Sequence, residues 1–373
     1  MWMKILLVAL SLVVLSSSIH VTSSSHSSSN VSDNAQASAL FVFGDSLVDN
    51  GNNNFLSSIA KSNYYPYGID SPRGVATGKF SNGDTFVDYL GAWLGLPAPP
   101  PFADPTTTGA RILGGVNYAS AAAGILDETG QHYGQRYSLS QQVMNFETTV
   151  RQLRPMIPNL SRYLSKSIAV LVFGSNDYIN NYLLPTLYPS RFFYNSTQFA
   201  TLLLNHYERQ LLALYAVGLR KFVLPGVGPL GCIPNQLATA SPPPLPGRCV
   251  DSVNQMLGDF NRGLVSLVDT MNNGSLPGSM FVYGNTYSAL GDILNNPARY
   301  GFAVVDRGCC GIGRQITCLP WTPPCANRNE YVFWDAFHPT QGVDAFLAQR
   351  AYAGPPSDCH PINVQQLALI NFA

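Results

Sequence analysis

Three side chains in this chain have the types needed for nucleophilic attack on a carbonyl. Ser46 sits in Phe41-Val42-Phe43-Gly44-Asp45-Ser46-Leu47, and Asp335 and His338 sit far away in Trp334-Asp335-Ala336-Phe337-His338-Pro339. A serine hydroxyl is a weak nucleophile at neutral pH until a neighbouring base takes its proton. His338 is suited to take that proton and return it to a leaving group, and Asp335 to hold the far ring nitrogen. Each residue also has a plain structural explanation: Asp-Ser is a common helix N-cap, and Asp335 could cap a last helix with Pro339 in its first turn. The chain has six histidines. His20 and His26 fall in or beside the apolar N-terminal segment, and His132, His206 and His360 have no acid three residues earlier.

An attacked carbonyl needs donors for the negative charge that develops on its oxygen. Asn176, in Gly174-Ser175-Asn176-Asp177, could supply a side-chain amide N–H. A glycine in Asn117-Tyr118-Ala119-Ser120-Ala121-Ala122-Ala123-Gly124 could supply a backbone N–H. Their ordinary roles would be a turn residue after a strand and close packing against a sheet.

These residues need a scaffold that brings distant segments together. Short apolar runs at 40–43, 169–173, 221–224, 280–283 and 331–334 read as buried strands, with 112–119 as a further candidate. Helical-period stretches at 197–217, 250–271 and 342–353 lie among them. Buried strands alternating with amphipathic helices predict an α/β fold, a parallel sheet covered on both faces in three α/β/α layers. The alternation crosses the proline-rich pieces at 97–105 and 241–247, so both read as loops within a single domain over 39–373. In open α/β sheets the ligand site lies beyond the carboxyl ends of the strands. Ser46, Asn176 and the Asp335/His338 pair all follow such runs.

The composition narrows the field. Net charge is zero and only 11% of the 373 residues are charged, against about 25% in an ordinary domain. No basic patch suggests nucleic acid or an anionic membrane as partner. Residues 1–25 read as a signal peptide: Lys4 precedes an apolar-plus-serine run from Ile5 to Leu15, too short to span a bilayer. Residues 26–38 read as a flexible Ser-rich leader, and no later segment has the length of a transmembrane span. The expected location is therefore extracellular.

Secretion makes disulfides the favoured reading of the seven cysteines. Cys232 and Cys249 flank the loop at 241–247 and are placed to staple it. Cys309, Cys310, Cys318 and Cys325 crowd one segment; zinc is the rival there, but no Cys-x-x-Cys pair and no nearby histidine supports it. The odd count leaves one thiol over. Asn30, Asn159, Asn195 and Asn273 open N-x-Ser/Thr sequons, candidate glycan sites in a secreted chain. Gly226-Val227-Gly228-Pro229-Leu230-Gly231 imitates a dinucleotide fingerprint, yet Pro229 and Pro234 oppose the helix start that such a site needs. No metal or cofactor is expected.

Four blocks, at 41–53, 115–125, 172–178 and 334–340, occur in order and together resemble the GDSL esterase/lipase family in its large secreted plant branch, part of the SGNH hydrolase superfamily. The resemblance runs from about residue 39 to 353. It implies a flavodoxin-like three-layer fold. It further implies Ser46 as nucleophile, His338 as base and Asp335 as its orienting acid. The oxyanion hole would be formed by the Ser46 N–H, the Asn176 side chain and a glycine, carried to Gly124 with Gly115 as second choice. The implied function is hydrolysis of a carboxylic ester, on a lipid or a cell-wall component, through an acyl-serine intermediate. An acyltransferase using an alcohol acceptor, and a binding protein without turnover, are the alternatives. All three reactive residues are present, which speaks against the binding protein.

Overall fold

The computed structural model describes residues 35–245, 247, 249–311 and 316–372. The expected signal peptide, the leader up to residue 34 and Asn30 lie outside the described residues. Residues 35–38, expected in the leader, lie against the domain: the Gln36 N–H donates to Leu94 O at 3.0 Å and the Ser38 N–H to Lys166 O at 3.3 Å.

Seven strands are described: β1 (Leu40–Gly44), β2 (Ile168–Val172), β3 (Lys221–Pro225), β4 (Met280–Gly284), β5 (Val304–Gly308), β6 (Tyr331–Phe333) and β7 (Cys359–His360). The main sheet has the order β1-β2-β3-β4-β7. Its first four strands are parallel, with Leu40 opposite Ile168 and Lys221 opposite Met280. Antiparallel β7 closes the far edge. The expected strand at 112–119 runs along the near edge without becoming a regular strand. Leu40 N donates to Gly114 O, Val42 N to Val116 O and Tyr118 N to Val42 O. Gly115, at φ +114°, breaks its pleat, and a Cβ there would lie 1.9 Å from Leu40 O. Counting this segment as second in sequence gives the order 2-1-3-4-5, that of flavodoxin-like sheets. The run at 331–334 does form a strand, but it pairs with β5 in a separate two-stranded sheet.

Strand side chains alternate between two cores. Phe41, Phe43, Ala169, Leu171, Phe222, Leu224 and Phe281 face helices Leu139–Leu153, Ser196–Val217 and Asp251–Thr270. Leu40, Val42, Ile168, Val170, Val223 and Val282 face helices Phe86–Trp93 and Val364–Leu369, with Ala351 of helix Gln341–Ala353. Burial on both faces explains why the strands read as continuous apolar runs. The helix Ser196–Val217 shows how such a cover is specified. Asn195 and Gln198 form a reciprocal capping box, and Gly218 follows the last turn at φ +130°. Phe199, Leu203, Tyr207, Leu211 and Leu214 recur at three- and four-residue spacing and are wholly buried.

Three disulfides are described: Cys232–Cys249, as expected, then Cys309–Cys325 and Cys310–Cys318. Cys359 is the free, buried thiol. No described helix is long and apolar enough to cross a membrane.

Truncating Leu211 should leave a cavity that the rigid helix–sheet interface fills poorly. Leu211→Ala is expected to lower unfolding stability by about 2–5 kcal/mol, read by denaturant titration. A loss below about 1 kcal/mol would show that this face of the helix does not anchor the sheet.

Candidate active site

At Gly44, the last residue of β1, the backbone passes too close to Val48 and β2 for a side chain. A Cβ on Gly44 would lie 2.5 Å from Val48 Cγ2 and 2.9 Å from Val172 O. Both backbone groups of Gly44 are taken by the Gln142 side chain, whose Nε2 donates to Gly44 O at 2.8 Å while its Oε1 accepts from Gly44 N at 2.9 Å. Ser46 opens a turn closed by the N–H groups of Val48 and Asp49 on Asp45 O. No long helix follows, because the buried Asp49 carboxylate captures the N–H groups of Gly51 and Asn52. Its other oxygen accepts from Ala121 N at 3.0 Å. Asn52 donates to Asn117 O and Ala119 O, and Asn53 to Ala121 O. The first and second blocks are thereby tied together by buried amides.

The other end of the chain arrives through a tight loop. Phe333 bridges Pro339, and Trp334 N donates to His338 O at 2.8 Å. Asp335 Oδ1 accepts the N–H groups of Phe337 and His338, both at 2.8 Å. Such Asx-type turns suit a short acid. The three-residue spacing then folds the imidazole back, so that His338 Nδ1 lies 2.8 Å from both Asp335 oxygens. His338 Nε2 lies 2.8 Å from Ser46 Oγ. Phe80 packs against the imidazole, ring centroids 4.8 Å apart.

Asn176 follows β2, on the other side of the point where strand order reverses from β1. Its Nδ2 donates to Ala123 O at 2.9 Å and its Oδ1 accepts from Asn180 at 2.6 Å, which fixes the amide plane. A cavity of about 350 Å³ is lined by Ser46, His338 and Asn176, with Ala121 and Ala122. Its apolar wall includes Ile179, Val227, Leu230, Leu290 and Phe337. Gly124 is not brought to this cavity: the loop packs it against Asp177 and Thr129, whose side chains would lie 2.5 Å from a Cβ there. Gly115 lies against β1, also away from the lining. Ala122 takes the left-handed conformation, φ +67°. The motif had indicated the loop, and no sequence signal distinguished its N–H groups.

Two buried acids in the site behave oppositely. Burial alone would raise Asp335, but the facing His338, the Tyr67 hydroxyl and the Phe337 N–H outweigh it and hold the carboxyl below its ordinary value. Asp45 is pushed up to about 7, chiefly by burial, against the opposing Leu47 N–H. Its Oδ2 has no partner among the described residues. Sequence reasoning did not single out Tyr67, which bonds Asp335, Gln142, which bonds Gly44, or the buried Asp45 carboxyl. Asp45 and Asp49 stood in a motif, whereas nothing in sequence links Tyr67 or Gln142 to the site. No group of three or more His, Cys, Asp or Glu among the described residues could hold a metal ion.

A carboxyl raised on folding keeps its proton in the native state while the unfolded chain has released it. Stability from Asp45 is therefore present at low pH and declines as pH rises from about 4 to about 7. Asp45→Asn should shrink the fall in Tm between pH 5 and pH 8 relative to wild type. An equal fall in both proteins would show that Asp45 ionises without cost.

The residues from 40 to 351 match the family model described as GDSL-like Lipase/Acylhydrolase. Three proteins of Arabidopsis thaliana are similar along nearly their whole lengths. One GDSL esterase/lipase is 63% identical over 91% of this chain and 91% of its own. A second is 56% identical over 88% and 87%. GDSL esterase/lipase 7 is 48% identical over 89% and 92%. The chain belongs to the GDSL-like lipase/acylhydrolase family.

Proposed function

We propose that this carboxylic ester hydrolase works through an acyl-enzyme on Ser46. The observation that carries the reading is the unbroken hydrogen-bonded line from Ser46 Oγ through His338 to the buried Asp335. His338 Nε2 accepts the hydroxyl proton as Oγ bonds to the ester carbonyl carbon. The same proton passes to the departing alkoxide as the tetrahedral adduct collapses. Water then attacks the acyl-serine, giving its proton to Nε2, and Ser46 regains it as the acid leaves. Asp335 holds the tautomer and faces the imidazolium that forms.

The developing oxyanion would be held by the Ser46 N–H, the Asn176 amide and a backbone N–H of the loop at 121–124. Ala122 is better placed for that third donor than Gly124. It lines the cavity, whereas the N–H groups of Ala121 and Ala123 are taken by Asp49 and Ser120 O. No acceptor for the Ala122 N–H occurs among the described residues.

The apolar wall supports an acyl group as the part of the substrate held in the cavity, as on a lipid or an acylated cell-wall component. Secretion is supported by the three disulfides and by the exposure of Asn159, Asn195 and Asn273, the sequon residues that would carry glycans.

Release of p-nitrophenol from short and long acyl esters tests the reading. Ser46→Ala is expected to lose on the order of a thousandfold or more in kcat, and Asp335→Asn on the order of ten-thousandfold. Undiminished turnover by folded Ser46→Ala would remove Ser46 as nucleophile. Steady consumption of ester only when an alcohol is present would favour the transferase.

A further inference from the structure

We propose that Tyr67 is a positioning residue for the acid–base pair: its hydroxyl fixes the Asp335 carboxylate so that His338 holds the orientation needed toward Ser46. The proposal rests on the triad reading above. Tyr67 is 1% exposed, and its hydroxyl donates to Asp335 Oδ2 at 2.6 Å. The geometry divides the carboxylate between two sets of donors. Oδ1 receives the backbone N–H groups of Phe337 and His338, whereas Oδ2 receives the Tyr67 hydroxyl, and the imidazole Nδ1 lies 2.8 Å from both oxygens. Without Tyr67, Oδ2 would be left with only the imidazole N–H that it shares with Oδ1, in a site with no water exposure at Asp335.

Tyr67 is itself held from two sides. Its oxygen accepts from Cys318 N at 3.2 Å, so the hydroxyl proton is directed to Asp335. Its ring stands edge-on to Phe80, centroids 5.7 Å apart, and Phe80 packs in turn on His338. Cys318 is disulfide-bonded to Cys310, whose N–H donates to Trp334 O, the residue before Asp335. One cross-linked segment therefore positions both the donor and its acceptor. Burial and the neighbouring Asp335 push the Tyr67 phenol well above its ordinary value, so it remains a donor through the working pH range.

The kcat/KM–pH profile of Tyr67→Phe separates positioning from packing. Removing a donor makes the carboxylate more basic and favours the imidazolium beside it, so the acidic limb should move up by about half to one pH unit. The plateau kcat should fall about ten- to hundredfold while KM stays within about twofold. Tyr64→Phe removes a hydroxyl that binds Cys318 O and stands beside Tyr67, and should move the limb less than Tyr67→Phe does. If Tyr67→Phe does not fold, monofluorotyrosine at position 67 serves instead. Its stronger donor should move the limb down. An acidic limb that stays put, a plateau within about twofold of wild type, or an equal shift from Tyr64→Phe would overturn the proposal. Ser46→Ala, assayed alongside, keeps the tests apart: activity in that variant defeats the triad reading, whereas its loss with an unmoved Tyr67→Phe limb defeats only this one.

Discussion

A carboxylate with no exposure to water exists as an anion only if the protein replaces its hydration with donors. Asp335 is such a group, and the local structure around it is the set of donors it requires. Two backbone N–H groups come from its own turn, one hydroxyl from Tyr67 and one ring N–H from His338. Gly308 at the end of β5 permits the close approach, since a Cβ there would lie 2.7 Å from the Asp335 carbonyl. The small β5–β6 sheet and the two disulfides at 309–325 thus brace the Asp335 turn, through Cys309 N on Phe333 O and Cys310 N on Trp334 O.

The main sheet does the complementary work. Ser46 and Asn176 follow β1 and β2, neighbours on either side of the point where strand order reverses. There the two following loops diverge and leave a crevice. The buried Asp49, Asn52, Asn53 and Asn117 side chains keep that crevice from collapsing by satisfying loop backbone groups that have no sheet partner. On the proposed reading, these fixed amides would hold the site ready before substrate arrives, which is where most catalytic electrostatics resides.

Much of this was legible in the residues. Runs such as 40–43 and 221–224 are buried on both faces, so composition alone marks them as interior strands. Ser46, Asn176, Asp335 and His338 were singled out because they follow apolar runs whose ends converge in this architecture, and because an acid and a base stood three residues apart; the structure places Ser46 and Asp335 on either side of His338. The run at 331–334 revealed its burial but not its partner strand, since apolar content carries no pairing information. The segment 112–119 has the hydrogen bonds of an edge strand yet not its pleat, because Gly115 yields to the Leu40 backbone. Tyr67 was invisible: its partner lies 268 residues away, and a tyrosine in a turn announces nothing. Gly124 was carried over from the resemblance as the second-block glycine, with Gly115 as second choice. In the structure Gly124 packs against Asp177 and Thr129, and the left-handed residue of the loop is Ala122.

The central claim is a covalent bond between substrate acyl group and Ser46 Oγ. Intact-protein mass spectrometry of acid-quenched enzyme, taken during turnover of a slowly deacylated ester, tests it most directly. The account predicts a species heavier by one acyl group, with the added mass on the peptide that contains Ser46, and none in Ser46→Ala. Turnover of the ester with acyl mass on a different residue, or wild-type adduct persisting in Ser46→Ala, would contradict it.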